Sequence, residues 1–117
     1  LNKKLQYLTY WNMRRNDIAE IYKNNLTDKV TWQPIVRNNV YHQFVILTEK
    51  KKELKEHLKA NGVESRSYYD PLPIANKIYN TANDVSNCVR LSKTNLAIPC
   101  NQYLTDDNII KLINDFL

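Results

Sequence analysis

Apolar residues recur at intervals of three and four from the first position onward, at Leu1, Leu5, Leu8, Trp11, Ile18, Tyr22 and Leu26. This spacing predicts a long amphipathic helix over about residues 1–25, closed where Asn24, Asn25, Thr27 and Asp28 supply cap and turn residues. Val30–Trp32 reads as a short strand halted by Pro34, and Arg37–Asn39 as a turn. The strongest strand signal follows at Val40–Thr48, a β-branched and aromatic run without clean alternation, which predicts a central strand covered on both faces. The pattern is helical again over Glu49–Asn61, with Leu54 and Leu58 on one side, and Gly62 provides a left-handed stop.

Val63–Arg66 reads as a third strand, and the two prolines of Ser67–Pro73 forbid ladder pairing and fix an extended loop. A short helix is expected at Ile74–Tyr79 and a turn at Thr81–Asp84. A further helix carries Val85, Cys88 and Val89 and ends near Lys93, before a brief strand at Leu96–Ile98. Thr105 is placed to cap a last helix, with Asp106 and Asp107 in its positive first turn and Ile109, Ile113 and Phe116 on one face. The order α-β-β-α-β-α-α-β-α predicts a small two-layer α+β domain, with helices packed on a mixed or antiparallel sheet of three or four strands.

Composition narrows the function. The chain has 117 residues, enough for one domain, and a single glycine, which leaves no glycine-rich phosphate loop of the P-loop or dinucleotide-binding type. No apolar run approaches the length of a membrane span. A net charge of +5 suits an acidic partner, nucleic acid included, without identifying one. Cys88 and Cys100 lie outside any zinc spacing and read as a reduced cytoplasmic pair. The chain opens on Leu1, inside a helical pattern and without a cap, which reads as a piece excised from a longer protein.

Stand-alone catalysis finds no support. His42 and His57 are the only histidines, and no nucleophile motif or metal-ligand cluster accompanies them. His42 reads as a hydrogen-bonded structural residue of the central strand, and His57 and the lysines of residues 50–59 as a solvated helix face. The segment from Arg66 to Pro73 is the most informative, because it sets a cation and two adjacent phenols beside a strand end. Arginine offers a planar fork for a diphosphate, and tyrosine can stack on a base or sugar. The alternative, that the tyrosines pack over the sheet while Arg66 snorkels, is equally open on the residues alone.

Taken together, these segments resemble the C-terminal small domain of the DegT/DnrJ/StrS nucleotide-sugar aminotransferases. Trp11-Asn12-x-Arg14-Arg15-x-x-Ile18-Ala19-x-x-Tyr22 is similar to that family's connecting helix, and Tyr41-His42-x-Phe44-Val45-Ile46 to its central strand. Leu54-x-x-x-Leu58-x-x-x-Gly62-Val63 follows in register, and Arg66-x-Tyr68-Tyr69-x-Pro71-Leu72 resembles a variant of its substrate loop. Leu91-Ser92, Leu96-x-Ile98-Pro99 and Leu104-Thr105-Asp106 resemble the closing strand and final helix. The resemblance covers essentially the whole chain.

It implies a cytoplasmic enzyme that uses pyridoxal phosphate to move an amino group, usually from glutamate, onto a nucleotide-linked keto-sugar for lipopolysaccharide, surface-glycan or deoxysugar biosynthesis. Residues 1–117 would be one small domain, with 1–26 as the connecting helix, docked on a large domain and a second subunit of a homodimer. The Schiff-base lysine would lie in the large domain, so this piece alone would be inactive, with no catalytic, cofactor-binding or metal residue of its own. Arg66, Tyr68 and Tyr69 would contact the substrate. Where the family often has His-Tyr-Pro in the loop, this chain has Tyr68-Tyr69-Asp70, and the Asn80–Asn87 segment lacks the usual glycines. The rival class is a basic nucleic-acid-binding or interaction module that stacks bases on its tyrosines.

Overall fold

The apolar stripe of the opening helix divides into two halves with different fates. In the computed structural model, which describes residues 1–26, 28–32, 39–75 and 84–114, the helix forms as α1 (Asn2–Leu5) and α2 (Leu8–Leu26). They are separated where the Tyr7 N–H donates to the Lys4 carbonyl at 3.1 Å in a tighter turn. Ile18, Ala19, Tyr22 and Leu26 are buried, whereas Leu1, Leu5, Leu8 and Met13 stand exposed. The turn at Arg37–Asn38, most of the short helix at Ile74–Tyr79, residues 81–83 of the following turn and Phe116 lie outside the described residues.

The sheet has three antiparallel strands in the order β1 (Thr31–Trp32), β2 (Phe44–Leu47), β3 (Asn95–Ile98). Trp32 pairs with Ile46, and Val45 with Ala97. β2 is central, as its composition predicts, but it begins at Phe44 rather than Val40. Tyr41 takes a left-handed φ of 44°, and the chain bends through His42 and Gln43 before the ladder starts. Phe44 and Ile46 are buried on one face while Val45 and Leu47 are half-buried on the other, so the second face is only partly covered. The strand expected at Val63–Arg66 is reduced to one bridge, in which Arg66 and Ala97 exchange backbone bonds of 3.0 and 2.6 Å. It stops there because the next inward amide, Tyr68 N–H, goes to the Asn95 side chain instead of a backbone carbonyl.

α3 (Lys51–Ala60) ends in a Schellman motif, with Gly62 N–H on the Lys59 carbonyl at 3.0 Å and Val63 N–H on the Leu58 carbonyl at 2.8 Å. Gly62 holds the required positive φ of 79°. α4 (Ser86–Thr94) runs directly into β3. At the start of α5 (Asp106–Asn114), Thr105 Oγ1 accepts the Asn108 N–H, and Asn108 Oδ1 accepts the Thr105 N–H in return, each at 3.2 Å. Arg14 ties this end to α2 through Asp106 Oδ1 at 2.7 Å and the Leu104 carbonyl at 2.8 Å. α2 and α5 close over the sheet's buried face, and Leu54, Leu58, Leu96, Ile98, Ile109 and Leu112 complete one core. Among the described residues no helix is long and apolar enough to cross a membrane.

Cys88 is exposed and Cys100 buried, both as free thiols. Burial pushes the Cys100 thiol from 9.0 up to about 11, against a weaker opposing pull from the Arg15 guanidinium. Its S–H donates to the Arg15 carbonyl at 3.6 Å. Burial, with Cys100 nearby, also holds the Tyr22 phenol above its ordinary 10.0. Both groups favour the protonated form in the fold. Their contribution is intact below the unfolded pKa and is lost as pH rises through the folded one.

Two measurements check this reading. A Cβ at Gly62 meets no atom within 4 Å, so Gly62→Ala carries only the left-handed backbone cost, and urea denaturation should show a loss of about 1 kcal/mol, smaller for Gly62→Asn. Stability should be level through neutral pH and fall from about pH 9 upward, Cys100 accounting for up to about 3 kcal/mol of the fall. Cys100→Ala should show a shallower alkaline slope in denaturant titrations at stepped pH.

Candidate functional site

The last carbonyls of a helix run short of backbone donors, and the C-terminal end of α4 holds the tyrosine loop through two of them, that of Ser92 and that of Leu91, which also accepts the Asn95 backbone N–H. Asn95, buried at the start of β3, donates from Nδ2 to the Leu91 carbonyl at 2.6 Å and accepts the Tyr68 N–H on Oδ1 at 2.8 Å. Lys51, buried in the first turn of α3, donates from Nζ to the Ser92 carbonyl at 2.6 Å and to Asp70 Oδ2 at 3.1 Å. Between these holds the two tyrosine rings meet edge to face, centroids 6.1 Å apart and planes at 72°. Tyr68 is half-buried and Tyr69 is 68% exposed.

The tyrosines form one wall of a groove of about 430 Å³ together with Leu91 and Asn95. The facing wall is Asn39, Val40, His42, Gln43 and Val45, the segment that bends into β2. That bend is held from α2. Arg15 donates from Nε to the Val40 carbonyl at 2.9 Å and from Nη1 to Gln102 Oε1 at 2.9 Å, and it also binds Asn12. Asn39 Oδ1 accepts the Tyr41 N–H at 3.0 Å, and the buried Tyr41 hydroxyl accepts a hydrogen bond from Lys23 Nζ at 2.8 Å. Burial alone would lower the Lys23 ammonium, but its hydrogen bonds to Tyr41 and Glu20 outweigh that and raise it above the ordinary value.

Of the three residues singled out in the sequence, Tyr68 and Tyr69 line the groove and Arg66 does not. Arg66 is exposed opposite Ala97, which itself pairs with Val45 of the groove lining. Directly opposed residues project from one face, so Arg66 shares the face of the sheet on which Val45 lines the groove, its backbone two strand spacings or about 10 Å from Val45. His42 is exposed in the bend and lines the groove, rather than serving as a hydrogen-bonded histidine within the strand, because β2 starts two residues later. His57 is half-buried, its Nε2 lying 3.3 Å from Asn61 Nδ2. Lys50, Lys52, Lys55 and Lys59 are solvated as expected, but Lys51 is buried. Spacings of three and seven place Lys51 in line with Leu54 and Leu58 on the buried face of α3, a signal that the surrounding lysines obscure, whereas the partners of Lys51 and Asn95 lie far away in sequence and no periodicity reports them.

Pyridoxal phosphate requires a lysine amine facing the bound group and a cradle for its phosphate. The described residues do not fit it. Buried Lys23 and Lys51 are both engaged away from the groove, and the chain's single glycine closes α3. Among the described residues no cluster of His, Cys, Asp and Glu could hold a metal ion.

Comparison with known proteins agrees along the whole chain. The DegT/DnrJ/EryC1/StrS aminotransferase family matches residues 1–117. A curated relative, dTDP-3-amino-3,4,6-trideoxy-alpha-D-glucose transaminase of Streptomyces venezuelae, is 32% identical over 78 residues, 63% of this chain and 20% of that protein. A DegT DnrJ EryC1 StrS aminotransferase from Brucella abortus superposes with a TM-score of 0.90 at 25% identity, over 98% of this chain and 32% of the other. PseC of Helicobacter pylori, an aminotransferase involved in the biosynthesis of pseudoaminic acid, shares the fold, with a TM-score of 0.82 at 19% identity over 97% of this chain and 33% of its own. The chain thus spans about a fifth of the curated relative and a third of the solved structures. With an α+β fold shared by these aminotransferases and a family match from the first residue to the last, this chain belongs to the DegT/DnrJ/EryC1/StrS aminotransferase family.

Proposed function

We propose that these residues form the C-terminal small domain of a cytoplasmic sugar aminotransferase. The enzyme transfers an amino group from glutamate to a keto-sugar carried on a nucleotide, for surface-glycan, lipopolysaccharide or deoxysugar synthesis. The observation that carries this reading is family membership over residues 1–117, joined to a groove walled by two tyrosines. Pyridoxal phosphate supplies the electron sink for amino-group transfer. In this reading it is held by the remainder of the protein, and residues 1–117 alone are inactive. Leu5, Leu8, Tyr10 and Met13, exposed along α1 and α2, are apolar surface that the rest of the enzyme would cover within a homodimer.

The groove's contribution is binding and orientation. Tyr69 presents an exposed ring on which a base or sugar stacks, with Tyr68 set edge-on behind it. His42 and Gln43 offer polar groups across the groove. Arg66, on the same face of the sheet, offers its fork to the diphosphate from the rim.

The test is transamination by the whole protein with glutamate and a panel of UDP- and dTDP-linked keto-sugars, with the amino-sugar product read by mass spectrometry. Product from at least one of these is expected, and none from residues 1–117 alone. Tyr69→Ala should raise KM for the nucleotide sugar about tenfold and leave kcat within about threefold, since stacking a base on an aromatic ring contributes about 1–3 kcal/mol of uniform binding. An unchanged KM would remove Tyr69 from the site.

A further inference from the structure

α3 buries a lysine in line with Leu54 and Leu58, on the face that its amphipathic pattern gives to apolar side chains, and both partners of that lysine lie outside the helix. The Ser92 carbonyl is 41 positions away and Asp70 is 19. Neither bond belongs to the hydrogen-bond ladder of α3. An aliphatic residue at position 51 would fill the same space but would leave the Ser92 carbonyl, one of the last of α4, without its donor. What the ammonium adds is a link from a rigid helix end to the loop.

That loop needs such a link. Residues 67–73 include Pro71 and Pro73 and stop pairing with β3 after Arg66. Two side-chain contacts bracket Tyr69 instead: Asn95 on the Tyr68 amide and Lys51 on the Asp70 carboxylate. Both relay to α4, at the successive carbonyls of Leu91 and Ser92. The Lys51 side chain is 11% exposed and that of Asp70 57% exposed, so the fixed end of the link is the buried one at Ser92 and the loop hangs from it.

We propose that Lys51 is a positioning residue for the groove: with Asn95, it clamps the Tyr68–Tyr69 segment to the end of α4 and so sets the wall against which ligand binds. The identity of that ligand, a nucleotide sugar, rests on the function proposed above, whereas the clamp does not. Local opening of a segment held by few contacts is readable by amide exchange.

The experiment uses the whole protein. Amide hydrogen exchange is followed over residues 66–72, and dissociation constants are measured for UDP-glucose and dTDP-glucose. The variants are Lys51→Met, which keeps the stem and loses the donor, Lys51→Arg, which keeps the charge, and Asp70→Ala, which cuts the link at its exposed end should Lys51→Met fail to fold. Lys51→Met and Asp70→Ala should speed exchange about tenfold or more at Tyr68, whose amide is bonded to Asn95 Oδ1, with residues 18–26 and 44–47 unchanged. They should weaken the nucleotide sugar that the wild type binds by about five- to tenfold, and Lys51→Arg should restore both readouts. Unchanged exchange over 66–72 would overturn the clamp whatever the wild type binds. Faster exchange with undiminished binding would overturn the positioning role. If the wild type binds neither probe, the exchange result still decides the clamp, and the nucleotide-sugar reading is what falls.

Discussion

The Tyr22 hydroxyl donates to the Pro99 carbonyl at 2.8 Å while its ring lies 5.3 Å from that of Phe44. One fully buried side chain therefore joins α2, the start of β2 and the exit from β3. A hydroxyl buried at that depth is tolerated only with its partner in place, so the helix cannot rotate or slide without orphaning both groups. With α2 fixed in this way, Arg15 reaches Val40 and Lys23 reaches Tyr41. Those two bonds shape the bend that forms one wall of the groove.

The other wall depends on the opposite end of the sheet, where α4 passes directly into β3. Helix-end carbonyls are obligatory acceptors, and here they are met by side chains from β3 and α3 that simultaneously hold the tyrosine loop. The groove is thus bounded by segments that are irregular in backbone but anchored to regular elements, the arrangement by which loops carry binding residues on a rigid scaffold. Leu8, Tyr10 and Met13 of α2 do not line the groove and stand exposed.

Much of the fold was legible because it is local. Gly62 as a left-handed stop, Thr105 as a cap, and the brief Leu96–Ile98 strand before Pro99 all follow from side-chain chemistry within a few residues. The position of β2 at the centre of the sheet also followed, from its β-branched and aromatic run. Its beginning did not, because Tyr41 has strand-like composition but a left-handed backbone, set by Asn39 and a buried hydroxyl contact. The strand at Val63–Arg66 failed for a related reason, an asparagine side chain taking the place of a ladder partner. Within the site, Tyr68 and Tyr69 stood out as adjacent phenols beside a strand end. His42 was misplaced along with the strand boundary, and Lys51 stands in register with Leu54 and Leu58 on the buried face of α3, obscured by a run of lysines whose other members are solvated. Patterns along a chain report which face is wet, and they do not report a carbonyl forty residues away.

The most direct measurement is photo-crosslinking of the whole protein to a 4-thiouridine diphosphate sugar and its thymidine counterpart, with adducts mapped by peptide mass spectrometry. A nucleotide-sugar wall built from this groove predicts adducts within residues 66–70 or 39–45 that excess unlabelled nucleotide sugar abolishes. Competed adducts confined to segments away from the groove would contradict it.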